Sequence, residues 1–285
     1  MTFVLFVQKS YSVHAAFTYN SIVCAKIYRD FKGGDALAEN TFQRREKKII
    51  LDAALAEPIK QRIEEYMHAD AYNKDGEPYM ICNLYFDNDN NDVIRNSVQL
   101  PKFKEKLRLR SYGTPDADTK VFLEIKRKQN GIGTKRRAKI TLQEVYDFLD
   151  RREYPENTKY INTQVLREID YYLSHTPVKP VAYVSYLRHA YYGKEDPDFR
   201  VTFDFDILSR RHDLSLESGR FGEPLLPPDK MILEVKFAGA VPYWFVQIMN
   251  EYNLTFHTFS KIGTDLKKNI LKNNGIDEFL LTGFV

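Results

Sequence analysis

Metal centres, disulfide frameworks and nucleophilic triads all need residues that this sequence has in short supply. Its 285 residues include two cysteines, Cys24 and Cys82. Two are too few for a disulfide framework and lack metal-ligand spacing, so they read as ordinary thiols in a reducing compartment. The six histidines form no Ser-His-Asp arrangement, and His175, His189, His212 and His257 are expected to be surface or core residues. No apolar run reaches the length of about 18 residues that a membrane-spanning helix needs. The phosphate-loop pattern Gly-x-x-x-x-Gly-Lys-Ser/Thr is also missing; Gly131-x-Gly133 before Thr134-Lys135 reads as a hairpin turn instead. Charge of one sign is scarce as well: 42 Lys and Arg face 39 Asp and Glu, leaving +3. Any polyanion site must therefore come from local arrangement. With no RNP or helix-turn-helix signal, nucleic acid is not an expected partner.

Aromatic residues, by contrast, are abundant. Tyr and Phe number 19 each, a bias that suits strands. Residues 1–40 read as a poorly ordered N-terminal extension, 41–275 as one domain and 276–285 as a tail. A strand is expected over 42–51, then a helix with Leu51, Leu55, Ile59 and Ile63 on one stripe, broken or kinked at Pro58. Strands follow over 81–86, 104–112 and 120–128, and Asn130-Gly131 signals a hairpin into 134–140. Thr141 and Glu144 form a capping box before an apolar helical stripe. A second helix spans 162–175. Strands resume over 181–191, 200–206 and 231–237, and the end is helical, with Pro242 in a first turn.

The functional signal lies in the alternation of these strands, because residues i and i+2 share a face. Lys106, Arg108 and Arg110 point one way and Leu107 and Leu109 the other. Glu124, Lys126 and Lys128 repeat the pattern, as do Lys135, Arg137 and Lys139, then Arg200, Thr202 and Asp204, then Glu234 and Lys236, and Arg44, Glu46 and Lys48 share one face of the first strand. Two-faced strands with charges in water would explain any one row. Six rows dominated by Lys and Arg suggest instead a barrel whose charged face lines a bore and whose apolar face is covered by helices. Buried unpaired cations are costly, so such a bore calls for an anion, and forked Arg donors suit phosphate.

At these residues the sequence resembles a known family. Arg44-Arg45-Glu46-Lys47-Lys48, Tyr85-Phe86-Asp87, Lys106-Leu107-Arg108-Leu109-Arg110-Ser111-Tyr112, Leu123-Glu124-Ile125-Lys126-Arg127-Lys128, Leu233-Glu234-Val235-Lys236 and Phe259-Ser260-Lys261 occur in the order found in the polyphosphate polymerase (VTC, vacuolar transporter chaperone) domain of the triphosphate tunnel metalloenzyme superfamily. The resemblance covers about 42–275. It implies an α+β fold: a closed eight-stranded antiparallel β-barrel tunnel with helices outside. The implied activity is transfer of the ATP γ-phosphoryl group to inorganic polyphosphate, with Mg²⁺ or Mn²⁺. The residues it implies are Lys48, Arg108, Arg110, Lys126, Arg188, Arg200 and Lys236 as catalytic cations, Lys135, Arg137, Tyr186, Ser260 and Lys261 as phosphate-binding groups, and Glu234 as metal ligand.

Two departures bear on activity. The superfamily's opening strand reads Glu-x-Glu-x-Lys, and here Arg44 replaces the first Glu, which disfavours a two-metal hydrolytic arrangement. Ile262 follows Ser260-Lys261 where the family commonly has an aromatic residue, which bears on packing at the nucleobase side. The competing expectations are a tunnel hydrolase of inorganic or nucleoside triphosphate and a non-catalytic polyanion-binding module. ATP and polyphosphate are the expected partners, the location cytoplasmic, and a separate membrane partner the expected route for any export.

Overall fold

The computed structural model describes residues 45–73, 76–99, 102–129, 132–156 and 159–274. The expectations for 1–40 and 276–285, for Arg44 and for the Asn130-Gly131 turn fall outside them. Ten strands join one sheet: β1 Arg45–Asp52, β2 Met67–Ala69, β3 Tyr79–Asp87, β4 Phe103–Tyr112, β5 Lys120–Gln129, β6 Ile132–Thr141, β7 Lys179–Gly193, β8 Arg200–Arg210, β9 Glu223–Pro224 and β10 Lys230–Phe237. Eight of them form an antiparallel path in the order β1-β10-β8-β7-β3-β4-β5-β6, while β2 adds to β7 and β9 to β8. The expected strand number and direction hold along this path, but the expected closure does not. Among the described residues β1 and β6 are the two ends, with no ladder between them. The sheet nevertheless curls: Glu46 on β1 interacts electrostatically with Lys126 on β5, and Lys48 with Lys106 on β4.

Alternation produces two apolar clusters on the convex side. Leu84, Leu107, Leu109, Leu123, Ile125 and Ile140 meet helices α3 (Leu142–Arg151) and α4 (Tyr160–His175) through Val145, Phe148, Leu166 and Ile169. Ile49, Leu51, Val201, Phe203, Leu233 and Val235 meet α1 (Ala56–Glu64) and α5 (Tyr243–Glu251) through Ile59, Ile63, Phe245 and Ile248. Burying each such side chain is worth about 1.5–3 kcal/mol, so the apolar alternation fixes which face looks away from the helices. The expected capping box forms as read: Thr141 Oγ1 accepts from Glu144 N at 3.2 Å and Glu144 Oε2 from Thr141 N at 2.7 Å.

Three boundaries differ from expectation. Leu51 belongs to β1 and not to the helix, because the ladder with β10 runs on to Asp52 opposite Lys230. Pro58 neither breaks nor kinks α1; it is the third helical residue, where no intrahelical donor is required. Pro242 is the N-cap of α5 rather than a residue of its first turn. Short α2 (Asp92–Val98) was not expected at all. A third apolar cluster lies on the concave side, where Ile81, Tyr186 and Ile232 meet Ile94 of α2 and Ile262 and Leu266 of α6 (Lys261–Asn273). Ile262, the residue that departs from the family pattern, is therefore a buried core contact. No helix among the described residues is long and apolar enough to cross a membrane.

Candidate polyanion site

Cross-strand partners in an antiparallel sheet share a face, so the register settles which residues stand together. Lys48 pairs with Glu234, and Glu234 with Thr202. Glu46 pairs with Lys236, and Lys236 with Arg200. One step along, Asp204 pairs with Arg188, and Arg188 with Tyr79. Asn83 then pairs with Arg110, Tyr85 with Arg108, and Lys106 with Lys126. Glu124 pairs with Arg137 and Lys126 with Lys135. Every expected site residue carried by a strand thus falls on one continuous concave face. A bulge keeps the parity: the β7–β8 register shifts between Ser185 and Leu187, and Asp206 takes φ 49°. That turns Ile207 into the same cluster as Tyr186.

Three carboxylates not singled out as site residues organise the cations. Arg188 grips Asp204 bidentately, Nε to Oδ1 at 2.6 Å and Nη2 to Oδ2 at 2.8 Å. Lys261, the first residue of α6, donates to the same Oδ2 at 2.6 Å. Glu124 takes Arg108 through Nε at 3.1 Å and lies 3.2 Å from Lys135 Nζ. Glu46 lies 2.8 Å from Lys48 Nζ. Glu234 itself meets Lys236 at 2.6 Å and Lys48 at 4.0 Å. Arg110 donates to Asn83 Oδ1 at 2.9 Å and to the Tyr186 hydroxyl at 3.4 Å. Ser260 caps α6, its Oγ accepting from Gly263 N at 3.2 Å, so here its side chain serves the helix end that presents Lys261.

The remaining cations have no such partner. Among the described residues Lys106, Lys126 and Arg200 contact no carboxylate within ion-pair distance, and Arg137 lies over the Phe122 ring at 4.8 Å. The alternating rows singled out Lys106, but the family resemblance did not. Burial, then repulsion from Lys104, Lys126 and Arg108, pushes the Lys106 ammonium down to about 8. Burial also takes Lys135 to about 8, the attraction of Glu124 being offset by Arg110 and Arg108. Glu46 attracts the Lys126 ammonium, yet burial and the charges of Arg108, Lys236 and Lys48 lower it. Lys126 is open to water along the face while protein surrounds it closely enough for burial to act.

The carboxylates respond the other way. Burial and the Glu234 charge would raise the Glu46 carboxyl, but Lys48, Lys126 and Lys236 bring it to about 2. Burial is likewise overcome at Glu234 by Lys236, Arg188, Lys261 and Lys48, which hold it well below the usual carboxylate range. Tyr186 is lowered despite its burial, because Arg110, Arg188 and Lys261 surround it. The face therefore carries more positive charge than its own acids neutralise, in a setting where Coulomb terms exceed those in water.

A divalent cation has donors here of the right kind but no complete cage. The described residues contain no group of three or more His, Cys, Asp or Glu that could hold one. Glu46 and Glu234 act on each other, and the buried Thr202 hydroxyl, cross-strand from Glu234, has no hydrogen-bond partner among the described residues. Hard oxygen donors with room for other ligands suit Mg²⁺, which binds through one or two carboxylates plus phosphate and water.

The sequence matches the family model for the VTC domain over residues 43–268. No curated protein matched it. Among solved structures, one from Bacillus halodurans described as a candidate adenylate cyclase is 15% identical. It covers 76% of this chain and 95% of its own, at a TM-score of 0.43. A candidate adenylyl cyclase from Hippeastrum, described as having a dominant triphosphatase activity, is 14% identical and covers 82% and 97%, also at 0.43. A Pyrococcus horikoshii protein is 13% identical and covers 79% and 99%, at 0.40. At these TM-scores the likenesses settle nothing further.

Proposed function

From a chain that belongs to the VTC-domain family, we propose a metal-dependent polyphosphate polymerase that works on its concave basic face. A terminal phosphate oxygen of the growing chain attacks the γ-phosphorus of ATP. The bond from that phosphorus to the β,γ-bridging oxygen breaks, and ADP leaves. The acceptor oxygen is already anionic, so no protein base is required, in keeping with the lack of any catalytic histidine arrangement. Phosphoryl transfer asks mainly for positioning and charge stabilisation. Arg108, Arg110, Lys126, Lys135 and Arg137 would hold one stretch of phosphate, and Arg188, Arg200, Lys236 and Lys261 another. Glu234, with Glu46 beside it, would hold Mg²⁺ or Mn²⁺, which would supply neutralisation of phosphate charge.

The observation that carries this reading is the surplus of unneutralised cations on one concave face, where Lys106, Lys126 and Arg200 contact no carboxylate among the described residues. A linear polyanion relieves that repulsion; a solvated sheet face would not develop it. The second reading, a tunnel triphosphatase, shares the face and replaces the acceptor with water. Incubation with ATP and Mg²⁺ or Mn²⁺, products resolved by gel, separates the two. Long chains support the polymerase, free phosphate alone the hydrolase, and no turnover with retained tripolyphosphate binding a non-catalytic module. Export through a separate membrane partner is part of the proposal only for the polymerase.

A further inference from the structure

An aromatic cluster borders the end of the basic face where β4 finishes and β3 begins. Tyr112 ends β4 and pairs with Ile81, next to Tyr79. Tyr72, from the segment between β2 and β3, lies flat on Tyr112 with centroids 5.2 Å apart and planes at 15°. Tyr79 is tilted against both, at 5.6 Å and 5.9 Å. Phe122 meets Tyr112 edge-on at 5.8 Å, and Arg137 and Lys139 lie over the Phe122 ring. Stacking has not removed Tyr72 from water: it is 56% exposed.

The segment carrying Tyr72 is held in place. The Asn73 side chain takes the part of a missing strand residue, donating Nδ2 to Ala190 O at 2.8 Å and accepting from Ala190 N at 3.2 Å. Asp70 N donates to the same carbonyl at 2.8 Å, and Asp70 Oδ1 accepts from Tyr72 N at 3.1 Å. The ring is thus presented by a built turn, which limits the ordering cost of binding to it. Arg110 stands two residues before Tyr112 on the same face, about 7 Å along the strand, and directly across from Phe122.

We propose that Tyr72, seated on Tyr112 and flanked by Tyr79, is the stacking platform for the nucleobase of the phosphate donor, with Arg110 and Arg137 taking its first phosphates. The inference rests on the phosphoryl-transfer reading of the concave face and adds what that reading lacks: a surface that tells a nucleotide from an inorganic chain. Flat aromatic faces beside cations are what base stacking uses, and they tolerate any base. The platform therefore selects for a nucleotide without selecting among purines.

The test is calorimetric titration of wild type, Tyr72→Ala and Tyr72→Trp with β,γ-imido-ATP and with inorganic tripolyphosphate, in Mg²⁺. Tyr72→Ala is expected to weaken the nucleotide about tenfold, leave tripolyphosphate within twofold, and be rescued by Tyr72→Trp. Retained tripolyphosphate binding also shows that the variant is folded. Equal weakening of both ligands, or no loss for the nucleotide, overturns the platform. If wild type binds tripolyphosphate but the nucleotide shows no dependence on Tyr72, the platform fails and the phosphate face stands. If wild type binds neither ligand, both readings fall.

Discussion

Glu234 faces opposing demands. It is buried, it neutralises Lys236 and Lys48, and it is the carboxylate assigned to the metal. Glu234→Gln keeps size and hydrogen-bonding reach and removes only charge. Metal-dependent turnover is expected to fall about a hundredfold or more, while tripolyphosphate binds as well or better because two cations are released. A merely structural Glu234 would give the opposite pattern, with activity kept and the melting temperature lowered both with and without ligand. Lys106 and Lys135 make a second test through pH. Their folded pKa values, about 8, lie below the unfolded value near 10.4. Between about pH 8 and 10 the unfolded chain binds more protons, so the empty protein gains stability as pH rises through that window. Anion binding favours the protonated ammonium, so the extra stability conferred by tripolyphosphate should shrink over the same window. Melts at pH 7, 8 and 9 with and without ligand check both signs. A ligand increment that grows with pH would contradict the assignment.

At the scale of elements, two helix caps look alike in sequence and differ in consequence. Thr141 caps α3 on the convex side and Ser260 caps α6 where it presents Lys261 to Asp204. Replacing either with Ala removes one cap, worth about 1 kcal/mol, or roughly 2–4 °C of melting temperature at this size. Only Ser260→Ala should also weaken tripolyphosphate, about threefold to tenfold, since Lys261 loses its placement. Equal effects of the two variants on binding would remove α6 from the site. The same elements show what could be read in advance. Alternation of Lys106, Arg108 and Arg110 with Leu107 and Leu109 fixed the concave face, because the period of two leaves no other register once the leucines are buried. Leu51 could not be read this way: an apolar residue at that spacing fits a helical stripe and the convex side of β1 equally, and only pairing with β10 decides. Asp204, Glu124 and Glu46 stood in the alternating rows, but their roles depend on which cation lies across the strand, which composition does not carry. Tyr72 sits outside any periodic segment, so its stacking on Tyr112 left no trace in the pattern. Closure was expected both from the basic rows and from the resemblance, but neither fixes how the outermost strands meet, and among the described residues the ends β1 and β6 carry no ladder between them.

For the whole molecule, a net charge of only +3 hides a strongly uneven distribution. Four carboxylates, Glu46, Glu124, Asp204 and Glu234, are outnumbered by the cations of the concave face and the start of α6, among them Lys48, Lys106, Arg108, Arg110, Lys126, Lys135, Arg137, Arg188, Arg200, Lys236 and Lys261. The empty protein therefore stores repulsion that its convex core must offset, and a polyanion binding only the folded state would relieve it. Saturating tripolyphosphate, at one hundred times its dissociation constant, should stabilise by about 2.7 kcal/mol, or roughly 5–10 °C. Arg200 is the cation through which to test the origin of that shift. It is exposed and lies cross-strand from Lys236 with no carboxylate partner among the described residues. Arg200→Ala removes charge without opening a cavity, so the empty variant should melt no lower than wild type, and its ligand-dependent shift should fall by about half. A charge row in bulk water would behave differently, since moderate salt largely screens interactions between exposed charges more than about 8–10 Å apart. Ligand-dependent melts of wild type and Arg200→Ala at low and physiological salt therefore decide between an enclosed phosphate face and a solvated one. A wild-type shift that vanishes at physiological salt would overturn the enclosed face, and with it the assignment of Arg108, Lys126 and Lys236 to phosphate.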